Sequence, residues 1–463
     1  MSVNWSKWED IFCERLGEGR VYRDAHTLEA YATDETHERR CPPDLVLKPK
    51  TAQEVSVILK TCNEAALPVT PRGGGSGVSG GALPVHGGVT LCLERLNRII
   101  AIDRRNMTLE VETGAITGEV QARLLEQGLW LPPDPGSKDW CQIGGNLAEM
   151  AAGPKSVKYG AFKDYVLNLE VVLADGEIIR TGADVRKNAS GYNLTQLMLG
   201  SEGTLGIITR VVFKILPAPT EEILLRVGFP DLESAGEMIC RVFESGLAPS
   251  ELEFIEGDGI RRAAALCSEK VDPNVAAFLW LGFDGSNADL LMEDAERAAE
   301  LAEALGGGEV LIAEEPEHKR QLWEYRHQIG PAIIEASTFR DVDACFPRSK
   351  LSEMVAGVKM IGQNYGFNTV CFGHCGDGNL HIQVLKEDLD DAAWHGPVQD
   401  GIREIYALSC KLGGALSGEH GIGCILPQHL DLMYSKRQLE LMRGVKAVFD
   451  PKGILNPGKI FPD

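Results

Sequence analysis

Two histidines, His374 and His381, flank an Asp377-Gly378 dipeptide in Cys371–Val384, CFGHCGDGNLHIQV. Asp-Gly suits a two-residue type I′ hairpin loop, because both central positions need positive φ and glycine adopts it readily. In that register Gly376 pairs with Asn379, Cys375 with Leu380, and His374 lies opposite His381. Directly opposed residues have Cβ atoms roughly 5 Å apart, close enough for two imidazoles to share one metal ion. The candidate third ligand is Glu419 in Gly414–Gly423, GALSGEHGIG, where flanking glycines predict a tightly turned loop. Two imidazoles and one carboxylate leave coordination positions open, the donor set of a catalytic rather than a structural ion. Zinc, ferrous iron and manganese all accept such a set. His420 then stands beside the metal as a base. The alternative, on composition alone, is a buried hydrogen-bonded histidine pair with Glu419 stabilising its loop.

A second stretch with chemical potential is Pro71–Pro84, PRGGGSGVSGGALP, after a strand-like Pro68-Val-Thr. Bare backbone amides in such a loop can approach a pyrophosphate with no Cβ in the way. The nicotinamide fingerprint fits poorly, since it needs a helix to start at its glycines and Ser79–Pro84 cannot launch one. A flexible linker is the competing reading, but linkers are rarely bracketed by strands or furnished with an arginine and two prolines. More small-residue turns follow at Asp134-Pro-Gly-Ser, Ile143-Gly-Gly-Asn-Leu, Ala151-Ala-Gly, Lys158-Tyr-Gly and Gly200–Thr209, GSEGTLGIIT. Several such turns in one region predict a long ligand touched by backbone at many points, as a large dinucleotide would be.

The elements that must position these residues alternate without a strict βαβ ladder. Trp5, Trp8, Ile11 and Phe12 predict a helical lead-in over residues 1–40. Strands are expected at Leu45–Leu47, Leu91–Leu93, Ile99–Ile102 and Thr108–Glu112, with helices at Ala52–Ala66 and Thr117–Gln127. This predicts an α+β domain over 41–219. Pro217 and Pro219 mark a boundary. Beyond it, strands at Leu224–Phe229, Ala277–Phe283 and Glu309–Ile312 alternate with acidic helices at Asp231–Glu244 and Asn287–Ala304, predicting an α+β cap with an antiparallel sheet over 220–410. A C-terminal segment, 411–463, carries a helix ending near Phe449 and returns to pack on the first domain.

The 463 residues are enough for two or three domains, and 44% are hydrophobic, so ample burial is available. A formal charge of −21 excludes nucleic acid and anionic membrane as partners. The N-terminus lacks a basic region followed by an apolar one, and no apolar run approaches a transmembrane length, which predicts a cytoplasmic chain with no transmembrane segment. Twelve cysteines without a CxxC pair indicate neither an iron–sulfur cluster nor a disulfide framework. Cys371 and Cys375 read as reduced small hydrophobes.

Six segments, in this order, resemble the vanillyl-alcohol-oxidase (PCMH-type) superfamily of FAD enzymes, in its branch of D-lactate dehydrogenases, glycolate oxidase FAD subunits and D-2-hydroxyglutarate dehydrogenases. They are the loop Arg72–Gly81, the IGGN of Ile143–Asn146, the GSEGTLGIIT of Gly200–Thr209, the GHCGDGNLH of Gly373–His381, the GEHGIG of Gly418–Gly423 and the NPGK of Asn456–Lys459. The resemblance implies a two-part FAD-binding domain, the cap, and noncovalent FAD, because Ser76 and Val78 stand where a flavin-linking histidine would be sought. It implies that Arg72, Gly73, Gly74, Gly75, Ser76, Gly77, Val78 and Ser79 hold the pyrophosphate region. Pro133, Asp134, Gly144, Gly145, Asn146, Gly153, Glu202, Gly203, Ile208 and Asn456 would line the rest of the cofactor. It matches His374, His381 and Glu419 to metal ligands, His420 to the catalytic base and Arg326 to a substrate-carboxylate anchor, with Arg348 a weaker second anchor. For Arg326 the competing reading is a surface ion pair with Glu324 or nearby acids.

The implied reaction is oxidation of a small D-2-hydroxy acid by hydride transfer to flavin, with electrons passed to an electron-transfer flavoprotein or an iron–sulfur subunit. Two departures bear on it. Relatives that use dicarboxylates tend to carry a lysine where this chain has Asp341, and an acid there would repel a second substrate carboxylate, favouring D-lactate or glycolate. The lysine that usually follows GEHGIG is replaced by Cys424-Ile-Leu-Pro. The rival functions are a catalytically silent FAD-binding subunit of a glycolate-oxidase-like complex, a D-2-hydroxyglutarate dehydrogenase, and a flavin oxidase of sugar-like alcohols.

Overall fold

The computed structural model describes residues 3–36, 39–267, 270–272 and 274–462. It divides into two compact units. The first takes in the chain up to Ala152, Ala161–Ala218, and everything from Glu419 onward; the second takes in Gly153–Gly160 and Pro219–Gly418.

In the first unit the helix Ala52–Ala65 is started by Thr51, whose hydroxyl accepts the Glu54 amide at 3.2 Å, and stopped by Ala66 in a left-handed conformation at φ 52°. Its Val55, Ile58, Leu59 and Cys62 recur at helical spacing and are fully buried. They pack on a four-stranded sheet of Val21–Tyr22, Leu45–Leu47, Val89–Cys92 and Val69–Arg72, the last three parallel. Parallel strands covered on both faces are continuous apolar runs, as Leu45-Val-Leu is. Phe12 and Leu16 of the helix Trp5–Leu16 join the same core, so these residues are part of the first unit's interior. So are Ile454 and Leu455: the Val69 amide donates to the Ile454 carbonyl at 2.8 Å and the Asn456 amide to the Val69 carbonyl at 2.7 Å. The chain end thereby lengthens the sheet at the strand that leads into the glycine-rich loop. A five-stranded antiparallel sheet of Ile99–Asp103, Thr108–Glu112, Ile207–Lys214, Val166–Val172 and Ile178–Arg180 completes the unit.

The second unit is a seven-stranded antiparallel sheet in the order Val310–Ala313, Glu221–Phe229, Ala277–Gly285, Glu251–Glu256, Asn368–Gly373, Asn379–Leu385, Phe339–Cys345. The helix Pro316–Ala336 buries Leu322, Tyr325, Ile329 and Ile333 on Ile255, Trp280, Val370 and Phe372 of that sheet. The Trp280 indole donates to the Leu322 carbonyl at 2.7 Å, fixing helix against strand.

The structure corrects two expectations. The hairpin loop is longer than Asp377-Gly378: the strand ends at Gly373, Phe372 pairs with His381, and the Asn379 amide bonds the His374 carbonyl at 3.1 Å. His374 therefore sits in the loop, two residues past Phe372, which takes the place opposite His381 that was expected for His374. A shift of two keeps the pleat's parity, so both rings stay on one face. The IGGN segment, read as a turn, opens the helix Ile143–Glu149; Gly144 packs so closely on Thr113 that a Cβ would lie 3.0 Å from it. No described helix is long and apolar enough to cross a membrane.

Candidate flavin and metal site

On the second unit's sheet, strand alternation puts Glu251, Glu253, Phe372, His381, Gln383, Asp341 and Asp343 on one face, through the pairs Ile255↔Phe372, Phe372↔His381, His381↔Asp343 and Gln383↔Asp341. His374 and His381 are buried, their ring centroids 5.4 Å apart and nearly perpendicular, and ring nitrogens of the two lie within 4.8 Å. A carboxylate oxygen of Asp341 lies within the same distance of a His381 ring nitrogen, and Asp341 accepts the Gln383 amide at 2.5 Å. Behind His374 sits Glu253, fully buried, with Oε1 2.6 Å from His374 Nδ1 and Oε2 2.7 Å from Arg326 Nε. Burial would raise the Glu253 pKa, but its partners His374 and Arg326 outweigh it and hold the carboxyl at about 2. Arg326 is thus no surface ion-pair residue: it lies over the Phe372 ring and reaches into the buried face.

At the end of the second unit, Asp343 ties down the approach to Glu419. Its Oδ2 accepts the Ser417 hydroxyl at 2.6 Å and the Gly418 amide at 2.8 Å, and its Oδ1 accepts Asn379 Nδ2 at 2.6 Å. Glu419 follows Gly418 directly. Arg348, the second candidate anchor, has its guanidinium over the Phe243 ring, 3.8 Å from the centroid.

In the first unit four motifs far apart in sequence lock onto one another. Glu202 accepts the Ile422 amide at 2.8 Å and the Gly423 amide at 2.7 Å, clamping the turn just after His420. Asn456 Nδ2 donates to the carbonyls of Gly81, at 3.0 Å, and Glu202, at 2.7 Å. The Cys424 amide donates to the Ser79 carbonyl, and Lys459 Nζ to the Leu83 carbonyl. Burial raises the Glu202 pKa to about 7, against the pull of the two amides and Lys459. The carboxyl of Glu149 is likewise pushed well up, by burial and by the charge of Glu202. His420 Nε2 lies 3.9 Å from Glu419 Oε1.

Matches to known families cover both units. Residues 43–182 match an FAD binding domain, and residues 218–460 match the C-terminal domain of FAD linked oxidases. The chain belongs to the FAD-linked oxidases. As a member of that family it is a flavin-dependent oxidoreductase, and its glycine-rich loop fits FAD. Gly77, Gly136 and Gly145 face open space where a Cβ would go, while Ser79 Oγ, Gln142 Oε1 and Glu149 Oε2 are buried without a hydrogen-bond partner. Orphaned buried polar atoms cost about 1–3 kcal/mol each, so bare backbone next to three of them suits a polar ligand that satisfies them.

Among relatives, this FAD-linked oxidase is 37% identical to the D-lactate dehydrogenase of Anaerostipes hadrus, over 90% of this chain and 89% of that one. It is 35% identical to glycolate oxidase subunit GlcD of Bacillus subtilis, over 93% and 92%. Its fold is similar to that of p-cresol methylhydroxylase with substrate bound, with a TM-score of 0.78 at 19% identity, covering 99% of this chain and 97% of that one. The architecture is therefore the PCMH-type α+β fold.

The structure spreads the expected cofactor residues over different tasks. Gly73, Gly74, Ser76, Gly77 and Val78 form the half-exposed crest of the loop, with Gly75 and Ser79 buried below it. Arg72 is buried, donates to the Thr33 carbonyl at 2.9 Å and lies over Tyr31, bracing the loop from beneath. Asn146 bonds Thr117 at 2.6 Å, the Ile208 carbonyl accepts the Thr113 hydroxyl, and the Pro133 carbonyl accepts Gln121. Gly203 sits at φ 68°, where a Cβ would strike Pro71; Asp134 is half-buried, and Gly153 belongs to the second unit. Sequence reasoning missed Glu253 and Glu149, and gave no role to Asp343. The signal for Glu253 was a charged residue in the middle of the strand-like ELEFIE.

Proposed function

We propose that this FAD-linked oxidase converts a short D-2-hydroxy acid, D-lactate or glycolate, to the 2-oxo acid, and passes the electrons to a protein acceptor such as an electron-transfer flavoprotein or an iron–sulfur subunit. The observation that carries the reading is the buried row Arg326–Glu253–His374 beside His381, which sets a guanidinium next to an imidazole pair on one sheet face. The names of the two relatives support the substrate class.

Bound noncovalently, FAD would supply at N5 the acceptor for the C2 hydride, and a divalent ion held by His374, His381 and Glu419 would supply positive charge that lowers the hydroxyl pKa. The donor set fits such an ion: two neutral imidazoles and one carboxylate, with positions left for substrate. Arg326 has its Nε committed to Glu253, so its Nη edge is what binds the substrate carboxylate. His420 accepts the hydroxyl proton on a ring nitrogen, and the Glu202 clamp on Ile422 and Gly423 keeps the turn that follows His420 in one place. The negative charge of Asp341 disfavours a second carboxylate on the substrate.

The test is anaerobic flavin bleaching by a panel of D- and L-2-hydroxy acids, with and without prior chelation. D-lactate or glycolate should bleach fastest, D-2-hydroxyglutarate poorly, and chelation should abolish bleaching until a divalent ion is returned. Unchanged bleaching after complete metal removal would contradict the metal assignment.

A further inference from the structure

Glu253 lies in the interior of the strand Glu251–Glu256, every residue of which is buried. A carboxylate only accepts hydrogen bonds, so in the 2.6 Å contact His374 Nδ1 carries the hydrogen. The opposite nitrogen, Nε2, is then the one left with a lone pair when the ring is neutral. The second Glu253 oxygen is held by Arg326 Nε, and the guanidinium is in turn held against the Phe372 ring, one strand over. Carboxylate, imidazole and guanidinium thus brace one another within a single unit. Three residues on, Glu256 is equally buried but paired with Lys359 and the Cys371 amide, with no histidine in its contacts. Of the strand's three buried glutamates, Glu253 is the one whose carboxylate meets His374 at hydrogen-bond distance.

We infer that Glu253 is a positioning residue: it fixes His374 in its Nδ1–H tautomer and ring orientation so that Nε2 can take the metal, while Arg326 Nε holds the second Glu253 oxygen in place. Outer carboxylates on ligating histidines typically account for about 10- to 100-fold in metal affinity. The inference rests on the metal reading given above, and it adds that the arm meant for the substrate carboxylate and a metal ligand share one buried oxygen pair.

The test uses the flavin-loaded protein after chelation. Nitrogen NMR of histidine-labelled protein, at a pH where the ring is neutral, reads the His374 tautomer, with His374→Ala assigning its signals. Titration with Co2+, followed by its visible ligand-field bands, reads affinity. Glu253→Gln should lose the pure Nδ1–H signature and weaken Co2+ binding about 10- to 100-fold. The double variant Glu253→Gln/Arg326→Gln, which strands no buried charge and so keeps the fold, should do the same. Glu256→Gln should leave both readouts unchanged. A folded double variant that keeps the wild-type tautomer and Co2+ affinity overturns the inference, as does Co2+ uptake lost in His374→Ala but kept in both Glu253 variants. If the wild type takes up no Co2+ at all, the metal reading falls and this inference falls with it.

Discussion

The Asp343 carboxylate holds the Gly418 amide at 2.8 Å, and the same oxygen takes the Ser417 hydroxyl. Three donors converge on this one side chain once Asn379 is added, and a carboxylate is the only neutral-pH side chain that accepts from all of them. Asp343→Asn would turn an NH2 group toward at least one donor. It should cost roughly 1–3 kcal/mol in stability and reduce turnover about 10- to 100-fold, because Glu419 is the next residue after the tethered Gly418. Urea unfolding and steady-state kinetics on the purified variant measure both; unaltered turnover would show that the tether does not matter to Glu419.

The pH dependence of stability should carry the signature of Glu202. Its carboxyl titrates at about 7 in the folded state and near 4.3 unfolded, so folding favours the protonated form. The contribution is fully present below about pH 4 and is lost as pH rises through 7, on the order of 3 kcal/mol in all. Glu202→Gln is neutral throughout and should abolish that loss. It has one acceptor oxygen for the Ile422 and Gly423 amides, so at pH 5 it should be less stable than wild type by about 1–2 kcal/mol. Urea midpoints at pH 5 and 8 decide the matter: a wild-type midpoint that does not fall relative to the variant's contradicts it.

What the chain disclosed in sequence, and what it withheld, follows from the range of the forces involved. The helix Ala52–Ala65 and the strands around Leu224 and Leu279 were legible because Val55, Ile58 and Leu59 repeat at the period of a helix, and the two strand runs are short, apolar and β-rich. The hairpin register was not, because it is set by a tertiary contact: Gly378 packs directly under the Phe346 carbonyl, which leaves no room for a side chain and pulls the loop out to His374. The IGGN helix was hidden for the same reason, since Gly144 answers to Thr113 rather than to local propensity. Glu253 stayed hidden because ELEFIE reads as a strand with a wet face. Only the position of that strand in the middle of the sheet, with Pro316–Ala336 packed on its face, turns a solvated charge into a buried one.

Asn456 offers a separate handle on flavin retention. Its amide nitrogen donates to the carbonyls of Gly81 and Glu202, joining the end of the glycine-rich loop to the turn at Gly200–Gly203. Asn456→Asp would set a carboxylate against two carbonyls that are then unsatisfied, destabilising this junction by roughly 2–4 kcal/mol. The expected result is a lower flavin-to-protein ratio after gel filtration, restored by added FAD. Acid precipitation of the wild type should release all of its yellow colour, in keeping with noncovalent FAD.

Glu253 and Glu256, buried on one strand with different cations, allow stability and catalysis to be separated. Lys359 meets Glu256 at 2.6 Å, and Arg326 meets Glu253 at 2.7 Å. Removing either cation leaves an anion buried, so Lys359→Met and Arg326→Met should each cost about 3 kcal/mol. Their kinetic effects should diverge. Glu256 keeps its Cys371 amide and contacts no site residue, so Lys359→Met should leave kcat and KM for D-lactate near wild type once the protein is folded. Arg326→Met removes the carboxylate's partner as well as the support for Glu253, and should raise KM about 10- to 150-fold, corresponding to the 1.5–3 kcal/mol of a charged hydrogen bond, with kcat falling too. Equal kinetic loss in both variants would mean that Arg326 acts only through stability, and the substrate anchor would have to be sought elsewhere on the Asp341–His381 face.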